Sequence, residues 1–135
     1  MIKTLVINTN GQGLYECTQE IKSIVKNAGI DEGLCTVFVQ HTSASLVIQE
    51  NADPSAQADL ENWLNRLVRE NDSLYTHTAE GPDDMPSHIK AALTSPCLSI
   101  PVVHHQLALG TWQGIYLWEH RRNGHNRRVV IHMGD

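Results

Sequence analysis

Two runs of β-branched and aromatic residues, "GLCTVFVQHT" and "SASLVIQE", follow one another from Gly33 to Glu50. Only the small polar "HTSA" segment marks their junction. Residues of this kind suit a pleated, half-buried surface. A junction this short favours antiparallel neighbours, because parallel strands need a long crossover between them. The same signal recurs along the chain. "TLVI" at Thr4 to Ile7 is closed by the turn "NTNGQG", and "GLYEC" follows as a short strand. "CLSIPVVHHQLALG" from Cys97 reads as one or two strands, "TWQGIYLWEHR" from Thr111 as another, and "RRVVIHM" from Arg127 as the last. "RNGHN", with its Asn-Gly pair, reads as the hairpin turn between the final two.

Helical periodicity interrupts this pattern in three places. Thr18 to Ala28 carries the apolar stripe Ile21, Ile24, Val25 and Ala28, and Gly29 stops it. Asp53 and Pro54 make a strong helix start, as N-cap and first helical residue. Ala56, Leu60, Trp63, Leu64, Leu67 and Val68 then share one face. The third helix runs from Asp84 to Leu93, with Ile89, Ala92 and Leu93 expected to face inward. Asp83 is its expected cap. No linker, repeat or low-complexity segment divides the chain. The expectation is an α+β fold: one compact domain over residues 1–135, mainly antiparallel β-sheet with three helices.

Composition narrows the function classes. Hydrophobic residues are 41% and charged residues 19%, which is globular rather than disordered. Ten basic against fifteen acidic residues leave a net charge of -5, which weighs against nucleic acid as a partner. The one basic cluster, Arg121, Arg122, Arg127 and Arg128, is suited to a small phosphorylated ligand and too local to track a duplex. Cys17, Cys35 and Cys97 form no CxxC pair and read as buried free thiols of a cytoplasmic protein. No signal peptide is indicated, and no apolar run approaches membrane-spanning length.

Eight histidines stand against one phenylalanine. His41 ends an apolar strand and begins "HTSAS". In "QENADP", Asp53 is explained by helix capping and Asn51 is not. In "GPDDMPSH", helix-start chemistry explains Asp83, Asp84 and Pro86 but not His88. His88 falls four residues after Asp84, on the same helix side. Such a pair can bind one divalent ion, or the acid can orient the imidazole. In "GTWQGIYLWEHRR" two glycines bracket Thr111, Trp112 and Gln113, as for a tight turn or a close approach of backbone to ligand. Along that strand Ile115, Leu117 and Glu119 point one way and Tyr116, Trp118 and His120 the other. Glu119 or His120 is a candidate to share a pocket with the helix-three histidine. His77 lies in a polar loop, His125 in the presumed turn and His132 on the solvent side of the last strand. His104 and His105 are adjacent and so point to opposite faces of a strand.

The motifs "HTSAS", "ENADP", "EGPDDMPSHIKAAL", "LGTWQGIYLWEHR" and "RRVVIHMGD" resemble the YjbQ-like proteins, also known as the secondary thiamine-phosphate synthase family. The resemblance covers nearly the whole chain. It implies a homotrimer with pockets near the subunit boundaries. It implies thiamine-phosphate synthase-type chemistry, in which a pyrimidine diphosphate joins a thiazole phosphate and pyrophosphate is released. The family's motif residues fall on His41, Asn51, Asp53, Asp84, His88, Gln113, Glu119, His120 and Arg128. The resemblance further implies a divalent ion, zinc or magnesium, on His41, His88 and His120. Arg128 would then hold phosphate, with Asp84, Glu119, Gln113, Asn51 and Asp53 completing the catalytic set. The chain departs from the family pattern at His104–His105, where a pair resembling Asn-Gly is usual, and at His132, where Thr is commoner. Two other functions compete with this one: metal-dependent hydrolysis of a small phosphorylated compound, and a non-catalytic trimer that binds a metal or metabolite.

Overall fold

The structure, a computed structural model, describes residues 1–135. Its elements are β1 (Ile2–Asn8), β2 (Gly13–Glu16), α1 (Thr18–Ala28), β3 (Gly33–Val39), β4 (Ala44–Glu50) and α2 (Pro54–Leu67). They continue as α3 (Asp84–Leu93), β5 (Cys97–Val103), β6 (Gln106–Leu107), β7 (Gln113–Glu119) and β8 (Asn126–Gly134). The strands form two antiparallel sheets, one in the order β1-β8-β3-β5-β6 and one in the order β2-β7-β4. The expected α+β class with three helices is what the chain adopts. No helix is long and apolar enough to cross a membrane.

The main core lies between the sheets. Val37, Val129 and Ile131 of the larger sheet meet Leu46, Ile115 and Leu117 of the smaller, and α1 adds Ile21 and Val25. Burying each such side chain contributes about 1.5–3 kcal/mol. The other face of the smaller sheet turns Trp118 toward Leu64 and Val68 at the α2 end, with Leu60 and Ile89 alongside. β7 is therefore covered on both faces, and every residue from Gly114 to His120 is buried. The expected alternation of its side chains is present, but its polar end is buried too.

Five expectations are corrected. The strands either side of "HTSA" are not paired neighbours, since β3 and β4 belong to different sheets and residues 40–43 cross between them. The "RNGHN" segment is no hairpin, since β7 and β8 belong to different sheets and residues 120–125 cross between them. A Cβ on Gly124 would stand 2.1 Å from the Thr9 carbonyl oxygen, so close backbone approach requires that glycine. Of the expected apolar stripe on α2, Leu60, Leu64 and Val68 pack on the sheet, while Trp63 and Leu67 remain exposed. On α3 the buried side is Asp84, Pro86, Ser87 and Lys90, whereas Leu93 is exposed. Polar side chains win that face because each makes at least one hydrogen bond, Asp84 through Oδ1 alone. Ser87 Oγ, for example, lies 2.6 Å from the Asp83 carbonyl oxygen and 2.9 Å from that of His120, and shares its one proton between them. Lastly, Cys97 is exposed, at an outer position of β5. Cys17 and Cys35 are buried as expected, and burial pushes their thiols up to about 12 and about 11.

Candidate metal centre

Asp83 stands at the start of α3 but does not cap it with its side chain. Its carboxylate instead accepts from Arg121 Nε and from the Arg122 backbone N–H, both at 2.9 Å. Burial opposes ionisation of this group. The Arg121 guanidinium and the Arg122 N–H outweigh that effect and hold the carboxyl below its ordinary range. Arg121 also donates to Asp84 Oδ1 at 2.9 Å and to the Glu80 carbonyl at 2.9 Å. One guanidinium thus ties the α3 start to the segment after β7 and fixes how Asp84 points.

The other carboxylate oxygen of Asp84 is the unusual atom. Oδ2 is buried and accepts no hydrogen bond. His77 Nε2 lies 2.8 Å away and His88 Nε2 3.3 Å away, neither in hydrogen-bonding geometry. The three donor atoms all lie within 4.8 Å of one another. His88 Nδ1 lies 3.1 Å from the Thr42 carbonyl oxygen. A carbonyl only accepts, so Nδ1 carries the proton in that contact. In the neutral imidazole Nε2 then presents a lone pair beside the Asp84 carboxylate. Two electron-rich atoms at that distance repel, unless a proton or a cation stands between them. Donors around a tetrahedral ion with 2.0–2.1 Å bonds are spaced about 3.3 Å apart; the His88–Asp84 separation matches that spacing, and the His77–Asp84 separation, at 2.8 Å, is shorter and would widen on binding.

The three imidazoles expected to share an ion do not meet. His88 keeps its place, with Asp84 and His77 as its companions. His120 is buried at the far side of the α3 start, with Nε2 2.9 Å from Ser45 Oγ. Burial, with help from Lys90 and Arg127, lowers its pKa to about 3, so it stays neutral. His41 Nε2 accepts the Arg128 backbone N–H at 2.9 Å. Burial first, then Arg127 and Arg128, lower its pKa as well. His77 lies in a polar loop, which has no periodicity to single it out. Its only sequence cue is that it precedes the Asp84–His88 pair in the same loop-to-helix segment.

The other expected site residues divide into two groups. Glu119 is fully buried, held by Arg127 through two nitrogens and by Thr9 Oγ1 at 2.6 Å. Those contacts make it a positioning residue between β7 and β8. Of the four clustered arginines, Arg121, Arg122 and Arg127 are in ion pairs with carboxylates, and Arg128 is not. Asn51, Asp53 and Gln113 stand apart from the His77–Asp84–His88 cluster. Asp53 caps α2 by accepting the Ser55 N–H at 2.9 Å. Asn51 donates to Glu16 at 3.2 Å, and Gln113 accepts the Gly110 N–H at 2.7 Å.

Residues 3–135 match the family model described as UPF0047 protein YjbQ-like. A UPF0047 protein of Synechocystis is 51% identical over 129 residues, which span 96% of this chain and 88% of that protein. The YjbQ protein of Escherichia coli is 41% identical over 95% of this chain and 93% of its own length. Among solved structures, a YjbQ/UPF0047 protein of Clostridium acetobutylicum superposes with a TM-score of 0.87 at 31% identity, covering 99% of both chains. A conserved hypothetical protein of Thermus thermophilus gives 0.87 at 29% identity, over 98% of this chain and 99% of that one. With the helix pattern, the two sheets and nearly the full length all in agreement, the chain is a member of the YjbQ-like UPF0047 family.

Proposed function

We propose that this protein is a divalent-cation-dependent enzyme acting on a small phosphorylated compound, with thiamine-phosphate synthase-type condensation as its reaction. The observation that carries the metal is Asp84 Oδ2, buried without a hydrogen bond between two imidazole nitrogens. His77 Nε2, Asp84 Oδ2 and His88 Nε2 would hold the ion. Two nitrogens and one oxygen favour zinc over magnesium, which prefers oxygen ligands. A divalent ion bound there supplies positive charge to the phosphate oxygens of a departing pyrophosphate.

The chain's own residues prepare that step. The Thr42 carbonyl keeps the His88 proton on Nδ1, away from the ligand side. Arg121 occupies Asp84 Oδ1 and leaves Oδ2 to the ion. Arg128, the arginine of the cluster without a carboxylate, is offered to phosphate, and its backbone is tied through His41 to the segment that holds His88. In the reaction the bond between the pyrimidine methylene and the diphosphate breaks, and the electron pair leaves with pyrophosphate. The thiazole nitrogen then forms the new C–N bond. No protein nucleophile is needed. A coupled pyrophosphate-release assay with both substrates tests this reading. Turnover that falls at least tenfold in His88→Ala is expected; equal rates for wild type and variant sink it.

A second reading, hydrolysis of a phosphorylated compound, is favoured by the donor set itself. Two histidines and one carboxylate with open positions are a familiar water-activating arrangement. A screen of phosphate esters with zinc-loaded protein separates it from condensation.

Self-association is part of the proposal. The outer face of the larger sheet carries Ile2, Val6, Leu34, Phe38 and Val103, all substantially exposed. An apolar sheet face of this kind supports assembly of copies, with a homotrimer expected from the family resemblance. Light scattering coupled to size exclusion reads the mass directly, and a strictly monomeric protein at micromolar concentration argues against it.

A further inference from the structure

The largest cavity, about 580 Å³, is not at the histidine cluster. It opens near the start of β7, where α1 presents Lys22 and Lys26 and the β5–β6 hairpin presents His104 and His105. Asn51 and Gln113 line it as well. From the geometry of this cavity we infer a second binding site, for a small phosphate ester. The inference does not rest on the proposed metal centre and stands or falls separately.

Charge is the first argument. Lys22 and Lys26 are one helical turn apart, and neither is in an ion pair. No Asp or Glu lines the cavity. The carboxylate nearest the hairpin is Asp31, whose Oδ1 lies 3.5 Å from His105 Nε2 and 3.8 Å from His104 Nδ1. Two carboxylates therefore stand at the cavity's edge, Asp31 beside the hairpin and Glu16 behind Asn51, while the lining itself carries two ammonium groups and two imidazoles and no acid. Such a set selects an anion, and ammonium groups beside polar donors are a common way of holding phosphate.

Backbone strain is the second argument. Val103 pairs with Gln106, so the hairpin loop is the two residues His104 and His105. Both have positive φ, at 51° and 63°. A two-residue loop of that shape is the natural place for Asn-Gly. Two histidines there cost conformational energy, and non-glycine residues held in this region cluster at ligand clamps. Both of them line the cavity.

Preformed donors are the third. The turn beneath the cavity is closed twice, by Gln113 N–H to the Gly110 carbonyl at 3.1 Å and by Gly110 N–H to Gln113 Oε1 at 2.7 Å. Because Oε1 is engaged, Gln113 Nε2 is left to donate. Asn51 is held by Glu16, and Gly114 makes that possible: a Cβ there would stand 2.8 Å from Glu16 Oε2 and 2.9 Å from Asn51 Cβ. The volume suits a metabolite of modest size, and the mostly polar lining suits one that is hydrophilic beyond its phosphate.

The test is an amide-shift titration of the full-length protein with inorganic phosphate and inorganic pyrophosphate, in the presence of a chelator so that no metal contributes. Citrate serves as a carboxylate control. Expected shifts centre on His105, Gly110 and Thr111. Lys22→Gln with Lys26→Gln weakens binding about tenfold or more, and His88→Ala leaves it unchanged. His104→Asn with His105→Gly weakens binding while raising the melting temperature. The site is overturned by no saturable shifts, by shifts centred on Arg128, or by indifference to the lysine substitutions. Citrate binding as tightly as pyrophosphate overturns the phosphate assignment.

Discussion

Arg127 and Glu119 form a buried ion pair that joins the two sheets, one residue from β8 and one from β7. Arg127 Nε donates to Glu119 Oε1 at 2.8 Å, and its terminal nitrogen reaches both Oε2 and Ser43. Removing one partner leaves the other charged and dry. Arg127→Met is therefore expected to destabilise the fold by about 3–5 kcal/mol. The double change with Glu119→Met should recover most of that loss. Urea unfolding at neutral pH measures both, and a single-variant loss below about 1 kcal/mol would contradict the burial argument.

His120 gives the fold an acid-side sensitivity. Its pKa is about 3 in the folded protein and 6.5 as an ordinary histidine, because burial disfavours the charged form. The unfolded chain thus takes up a proton below about pH 6.5 that the folded chain refuses. The stabilisation is fully present above that pH and is lost as pH falls toward the folded value. The slope for one proton is about 1.4 kcal/mol per pH unit. Stability curves of wild type and His120→Asn should diverge in that sense between about pH 6 and pH 4. Parallel curves would mean that His120 is not shielded as described.

The β5–β6 hairpin should gain stability from the residues its turn prefers. His104→Asn with His105→Gly relieves two positive-φ positions and is expected to add about 1 kcal/mol or more. Thermal unfolding detects this readily. A lower melting temperature would show that the histidines hold the hairpin through Asp31 more strongly than the strain opposes it.

His77 is half exposed in a loop, so its removal tests the metal centre without disturbing the core. Wild type should be stabilised by added zinc, by about 2.7 kcal/mol at a hundredfold excess over Kd. His77→Ala should lose most of that increment while its metal-free melting temperature is unchanged. An identical zinc response in both proteins would remove His77 from the ligand set.

The physical signals that were legible are those with local causes. Asp53 and Pro54 start α2 where capping chemistry says they should, and Thr18–Ala28 is a helix at the expected bounds because Gly29 ends it in a left-handed conformation. The family motifs also picked out Asp84 and His88, which do lie together. What sequence periodicity misplaced was decided by long-range partners. The buried side of α3 is polar because Arg121, 37 residues further on from Asp84, and the His120 carbonyl provide hydrogen bonds for it. The Asn-Gly pair at Asn123–Gly124 suggested a hairpin, yet pairing of β8 with β1 and β3 carries the chain to the other sheet. His77 has no local mark beyond preceding the Asp84–His88 pair, since only the folding of its loop onto α3 gives it a role.

β7 also acts as a ruler. Gln113 at its start borders the cationic cavity, and Glu119 at its end adjoins His120, whose carbonyl anchors the helix bearing Asp84 and His88. Six residue steps at about 3.3 Å put roughly 20 Å between those ends. The strand is packed on both faces, so that spacing is rigid. A single metabolite the size of a phosphorylated heterocycle cannot touch both places in one subunit at once. Any cooperation between them must be by exchange of a released molecule, or by a neighbouring copy that folds one site against the other.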